Sequence, residues 1–317
     1  MTKSVAKWLM CIGLLTPLLA HSTQTTPFNF GVIAKPLKAL TGEAMVKDAI
    51  SESDADNLAF VVASGIKADD EPCTDAIYKS RRALLDSAKN GLIVSITAGD
   101  WAQCVNAKNR SIATERISRV RDVFFTDEFS LGDSKIPVSR QSAMPKFRMY
   151  AENMRWRIND VMFATINLPS NNNNYLNAAG RNNEFEDRQI ANTDWLKRLF
   201  LTAKIGKMDG IVLFCDGNPF PPAEHSSLFS SGSKREGYAD IRRQIMSFAA
   251  KFPGRILIIH SDQDARQVSA PKEIEWHGNV GSLRAAMPWR KISVDTSQPQ
   301  LFNVVSSPLS AQTARRQ

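Results

Sequence analysis

No run of five or six like charges occurs anywhere in this chain. Its 40 Lys and Arg against 32 Asp and Glu give a formal charge of +8, but the surplus is scattered along the whole length. Scattered charge solvates a surface and can steer anions at long range. It does not build a nucleic-acid groove, which needs a basic patch interleaved with aromatics, so nucleic acid is excluded as an expected partner. No glycine-rich loop of the phosphate-cradling kind is present either. No short-period repeat and no linker-like stretch divides the sequence, which at 43% hydrophobic content reads as one ordinary globular domain.

Histidine and cysteine are both limited to four residues. His21 lies near the start, His225 lies in the polar, Ser-rich stretch 221–237, and His277 sits beside Gly278. Beyond residue 22, only His260 follows an apolar run. The first three cysteines are Cys11, Cys73 and Cys104, and the fourth, Cys215, ends another apolar run.

What is present at the N-terminus is a secretory signal over residues 1–22. Lys3 and Lys7 precede the apolar run Trp8 to Ala20, and Ala20-His21-Ser22 is a small-x-small cleavage site. That run is short for a membrane span, so none is expected after cleavage. Cys11, behind Trp8, Leu9 and Met10, has no lipid-attachment context. The expectation is a periplasmic or secreted domain over 23–305 with a frayed tail over 306–317. Export leaves Cys73, Cys104 and Cys215 in an oxidising compartment. Cys73 and Cys104 each follow a strand-end loop, which favours a disulfide between them. Cys215 reads as a small buried hydrophobe with no nucleophile signature around it.

Short β-branched runs at 28–33, 58–62, 92–96, 161–167, 211–214 and 255–259 predict strands. Helical spacing of apolar residues predicts helices over 41–50 (with Thr41 as N-cap), 75–89, 114–125, 187–205 and 238–252. Residues 144–156 read as an irregular or partly helical cover, and the tail over 291–305 as two further strands. Strand-helix alternation implies mostly parallel sheets with right-handed crossovers. Ligands in such folds sit beyond the carboxyl ends of the strands. That draws attention to Ala34, Ser64, Ala98 and His260 at four strand ends, and to Asp216 at a fifth. Asp100 and His260 are the catalytic candidates, although Asp100 also fits a turn whose carboxylate bonds the backbone. Asp216, His260, Asp262 and Asp264 are the candidate metal ligands. Lys67, Arg140 and Arg266 are cations near the same rim, each suited equally to holding a phosphate without cleaving it or to a surface or ion-paired role.

Several longer strings resemble the calcineurin-like metallophosphoesterases, in an exported bacterial branch. They are SGIKADDEPCTDAIY (64–78), GDWAQC (99–104), ERISRVRDVFFTDEFSLG (115–132) with Arg140-Gln141 after it, and VMFATINLPSNNNN (161–174). EDRQIANTDWLKRLF (186–200), IIHSDQDARQVSAP (258–271) and PWRKISV (288–294) continue the resemblance. It implies a four-layer αββα sandwich and hydrolysis of phosphate mono- or diesters at a pair of divalent ions such as manganese, zinc or iron. The family's ligand positions, however, are degenerate in this chain. Ala34 stands where an Asp is expected, Gly65 where the bridging Asp is expected, and Gly99 where an Asn is expected. Asp264 takes the place of a second His after His260. The losses imply a non-catalytic member with no cofactor, acting as a binding or interaction module for a phosphate-containing ligand or an envelope protein. The alternative is a metal-dependent phosphoesterase with an atypical or single-metal site.

Overall fold

The structure is a computed structural model that describes residues 26–36, 38–176, 182–220, 236–261, 273–285 and 288–305. The signal segment, Asp262, Asp264, Arg266, His225 and the C-terminal tail lie outside the described residues. Among the described residues twelve strands form two sheets. They are β1 (Phe28–Ile33), β2 (Val61–Ser64), β3 (Leu92–Ser95), β4 (Ser139–Arg140), β5 (Met154–Ile158) and β6 (Val161–Thr165). The rest are β7 (Gly210–Cys215), β8 (Arg255–His260), β9 (Glu275–His277), β10 (Val280–Arg284), β11 (Trp289–Val294) and β12 (Phe302–Val305). The longer helices are α1 (Ala39–Asp54), α2 (Asp75–Asp86), α3 (Ala113–Phe124), α4 (Asn183–Ile205) and α5 (Ala239–Ala249).

One sheet runs β12-β11-β1-β2-β3 and the other β4-β5-β6-β7-β8-β10-β9. β1, β2 and β3 are parallel, as are β6, β7, β8 and β10, while the outer strands pair antiparallel. The two sheets pack face to face through aromatics. Phe30 and Phe60 stack at 5.1 Å and meet Phe163 of the other sheet at 5.4 and 4.8 Å. Trp156 closes the cluster against Phe60 and Phe214. Each such pair contributes about 0.5–1.5 kcal/mol beyond its buried area, which locks the sheets in register. A second core lies between the outer face of β6, β7 and β8 and the apolar stripes of α4 and α5. Helices α1 and α2 cover the other sheet through Val46, Ala49, Ile50, Tyr78 and Leu85. The layers are helix, sheet, sheet, helix: a four-layer αββα sandwich.

Two expectations are corrected and one hairpin is added. The helix expected from Thr41 begins at Ala39, and Lys38 gives it no side-chain cap; the Ala39 N–H donates instead to Asp70 Oδ1, 2.7 Å away in the loop after β2. A carboxylate from a distant loop caps the helix, which local spacing does not announce. Residues 144–156 hold short 3₁₀ turns and then β5, where Met154 and Trp156 point inward between the arginines 155 and 157. Residues 275–284 supply the hairpin β9–β10, turning at Gly278 with φ +64°. Cys73 and Cys104 are bridged, with Cα atoms 5.9 Å apart, joining the loop before α2 to the loop after β3; Cys215 is buried.

Candidate functional site

β3 ends in a single 3₁₀ turn, Ala98–Asp100, and this turn defines the site. Asp100 is fully buried. Its Oδ2 accepts from Thr97 N (2.7 Å) and Thr97 Oγ1 (3.0 Å), and its Oδ1 accepts from Ile66 N (2.9 Å) and Lys67 N (3.2 Å). Burial pushes its pKa above the ordinary carboxylate range, against the donated backbone hydrogen bonds and the nearby Lys67 charge. The two Thr97 contacts close the turn on itself, and the Ile66 and Lys67 contacts tie the end of β3 to the end of β2. Asp100 is a staple between two strand ends, with no lone pair turned toward a substrate.

Asp216 does the same for the second sheet. Its Oδ2 accepts from Ala98 N and Ser170 N, both at 2.7 Å, and its Oδ1 accepts from Ser261 Oγ at 2.6 Å. One buried carboxylate therefore gathers the ends of β3, β6 and β8 around β7. The register pairs His260 with Cys215, and the Ser261 N–H donates to the Asp216 carbonyl, so Ser261 rather than His260 is delivered to Asp216.

The end of β1 adds a cation. Lys35, 8% exposed, runs its stem past Gly65 and places Nζ 3.0 and 2.9 Å from the two carboxylate oxygens of Asp69. Burial alone would lower the Lys35 pKa, but the charges of Asp216 and Asp69 outweigh it and hold the ammonium above its ordinary value. A Cβ on Gly65, whose φ is +86°, would lie 3.1 Å from Lys35 Cγ, and a Cβ on Gly99 would lie 2.1 Å from Asp69 Oδ1. Both glycines thus make room for this ion pair. Lys67, 1% exposed, folds its Nζ back onto the carbonyls of Ala68 (2.9 Å) and Glu71 (2.7 Å), and burial lowers its pKa.

A pair of divalent ions needs several free oxygen or imidazole ligands converging on open positions. Ala34, Gly65 and Gly99 carry no side-chain donor. Asp100 and Asp216 have their oxygens turned to N–H and O–H donors, and Lys35 brings a positive charge among them. The described residues do not fit a dinuclear centre. Among the described residues no group of three His, Cys, Asp or Glu is arranged to hold a metal ion.

His260 stands apart. It is 7% exposed, its Nδ1 has no hydrogen-bond partner, and burial together with the Arg284 charge pushes its pKa down to about 4. Arg140 is corrected as a phosphate-holding cation: its guanidinium is buried on the carbonyls of Asp127 (2.6 Å), Ala151 (3.0 Å) and Phe129 (3.3 Å) and lies over the Phe125 ring. Lys67 is corrected likewise by its carbonyl contacts. Asp69 and Lys35 were not singled out from the sequence; the only signal was the extra acidic pair Asp69-Asp70 after Lys67. A shallow groove of about 410 Å³ is lined by Gln189, Thr193, Asp240, Arg243, Gln244 and Ser247, all from α4 and α5 and none from a strand end.

No family model matches this chain, and no curated protein matches it in sequence. Among solved structures, a dimetal phosphatase from Danio rerio aligns with 84% of this chain and 92% of its own, at 10% identity and a TM-score of 0.46. A phosphatase from Mycoplasma pneumoniae aligns with 90% of this chain and 97% of its own, at 8% identity and a TM-score of 0.41. At such identities and scores no residue's role passes from those proteins to this one.

Proposed function

We propose that the chain is an exported, non-catalytic member of the calcineurin-like metallophosphoesterases, serving as a rigid binding or interaction module. The observation that carries this reading is the Lys35–Asp69 ion pair lying across Gly65 and Gly99. Two positions where the family expects ligand side chains are bare, and an internal cation and its counter-charge use the space. The resemblance of the sequence strings supports the family assignment, and the signal-like residues 1–22 support export to the periplasm or beyond.

A second reading is a metal-dependent phosphoesterase using one manganese, zinc or iron ion on His260 with Asp216, Asp262 and Asp264. The unpartnered Nδ1 of His260, neutral at physiological pH, favours it; the commitment of Asp216 to three protein donors opposes it. The test is to load the protein lacking residues 1–22 with manganese or zinc and to assay aryl phosphate mono- and diesters. The expected outcome is no turnover above the metal-only blank. Turnover abolished by His260→Ala would establish the second reading instead.

A further inference from the structure

The basic residues are scattered along the sequence, but the fold gathers several of them on one outer face. The second half of α4 buries Leu196, Leu199, Phe200 and Ala203 in the core. The opposite side of the same turns carries Lys197, Arg198, Leu201, Lys204 and Ile205, all exposed, at the i, i+3, i+4 and i+7 spacings of one helical face. Leu201 is 54% exposed and Ile205, one turn on, is 74% exposed. β5 widens this face. Met154 and Trp156 point inward, so Arg155 and Arg157 point outward, and Arg155 donates to Thr202 Oγ1 of α4 at 2.8 Å. Arg198 is paired with Asp194 at 2.7 Å and Arg157 with Asp160 at 2.6 Å, and Asp209 is exposed at the same end. Arg155, Lys197, Lys204 and the exposed Lys207 just past α4 have no carboxylate partner among the described residues. Burial and the neighbouring Arg198 charge lower the Arg155 pKa, in keeping with a face that holds more positive charge than it balances.

The N-terminal segment enters the domain at this end. Asn159, in the β5–β6 turn, donates to the Thr26 carbonyl at 3.4 Å, and Arg157 donates to the carbonyl of Asn159 and to Asp160. Five residues, 21–25, separate Thr26 from Ala20, where the apolar run that reads as a secretory signal ends. Fully extended, they reach about 20 Å.

We infer that the outer face of α4 and β5 docks the protein on an anionic lipid surface. Anionic headgroups answer the unpaired cations, and the acyl boundary takes Leu201 and Ile205, which lie between those cations. A second copy presenting the same face would set lysine against lysine. Arg157 and Ile158 register with Met162 and Val161 at the start of β6, so the face reaches the end of the sheet opposite Asp100 and Asp216. The inference therefore goes beyond the proposed function and uses none of the atoms of that site.

The test is vesicle co-sedimentation of the protein lacking residues 1–22, so that the apolar run cannot itself insert. Vesicles of phosphatidylglycerol mixed with phosphatidylcholine are compared with phosphatidylcholine alone. Binding is expected to the anionic vesicles only, and it should fall as sodium chloride rises from about 0.1 to about 0.5 M, where screening shortens the reach of charge. Lys197→Gln and Lys204→Gln should each weaken binding about fivefold, and Leu201→Ser about tenfold. Lys47→Gln, an exposed cation on α1 in the other helical layer, should leave binding unchanged. All four positions are exposed, so the variants should fold. A second readout locates the contact: an environment-sensitive fluorophore on Leu201→Cys should shift to the blue on anionic vesicles, and the same label on Lys47→Cys should not. Equal binding to neutral and anionic vesicles overturns the inference. So does wild-type affinity in the folded Lys197→Gln, Lys204→Gln double variant, or a label at 201 that does not shift. A dimer in solution that Leu201→Ser abolishes, or retention on an acidic polypeptide, would assign the face to a protein partner if no vesicle binding accompanies it, and overturns the inference as well.

Discussion

Asp69 holds the Lys35 ammonium with both carboxylate oxygens while one of those oxygens lies 2.1 Å from where a Cβ on Gly99 would be. A residue with a side chain at 99 and the Lys35–Asp69 pair are therefore mutually exclusive in this geometry. Gly99→Ala should destabilise the protein by about 1–2 kcal/mol, because the carboxylate must swing off the lysine. In an Asp69→Ala background the same substitution should cost almost nothing. Urea unfolding of the four proteins in the cycle measures the coupling; strictly additive costs would contradict the relationship.

Gly65 behaves differently. Its φ of +86° strains any residue with a Cβ, whatever stands next to it. Gly65→Ala should cost about 1–2 kcal/mol in both the native and the Lys35→Ala background, again read from urea midpoints. A cost that vanishes with Lys35 would show that space, not backbone conformation, fixes the glycine.

Asp216→Leu keeps roughly the size of the side chain but removes both acceptor oxygens. Ala98 N–H, Ser170 N–H and Ser261 O–H then lose the carboxylate acceptor they share. A loss of about 2–4 kcal/mol is expected. Hydrogen exchange should report it locally, with the Ala98 and Ser170 amides exchanging faster while those in β11 keep their protection. Unchanged exchange at those two amides would remove Asp216 from its stapling role.

His260 sets a pH dependence. Its pKa of about 4 in the folded chain lies below the ordinary 6.5, so between these values the unfolded chain takes up a proton that the folded chain refuses. Stability from this group is full above about pH 6.5 and declines as the pH falls toward 4, by at most about 3 kcal/mol. Comparing the stability of wild type with His260→Phe from pH 7 to 4 isolates it: the acid-side slope should be shallower in the variant.

Much of this architecture was readable from the chain. The apolar runs at 28–33 and 255–259 and the helical spacing at 75–89 place the elements to within a few residues, because one-sided or complete burial writes itself into local periodicity. The pairing of Cys73 with Cys104 was legible from their shared position after strand ends. The site was legible only as a set of absences. Ala34, Gly65 and Gly99 read as lost ligands, but what the glycines make room for depends on Lys35 meeting a carboxylate 34 residues away. The commitment of Asp216 depends on a register that delivers Ser261 in place of His260, which no spacing along one strand reveals. The hairpin β9–β10 was missed because its strands are short and Gly281 interrupts the apolar pattern.

The central claim is that a protein ion pair and two hydrogen-bonded carboxylates have replaced a metal centre. Equilibrium dialysis of the protein lacking residues 1–22 against manganese and zinc, followed by elemental analysis of the retained metal, tests it most directly. The expected result is sub-stoichiometric metal, unchanged by His260→Ala. Retention of one or two ions per chain, lost on substitution of His260 or Asp216, would contradict it.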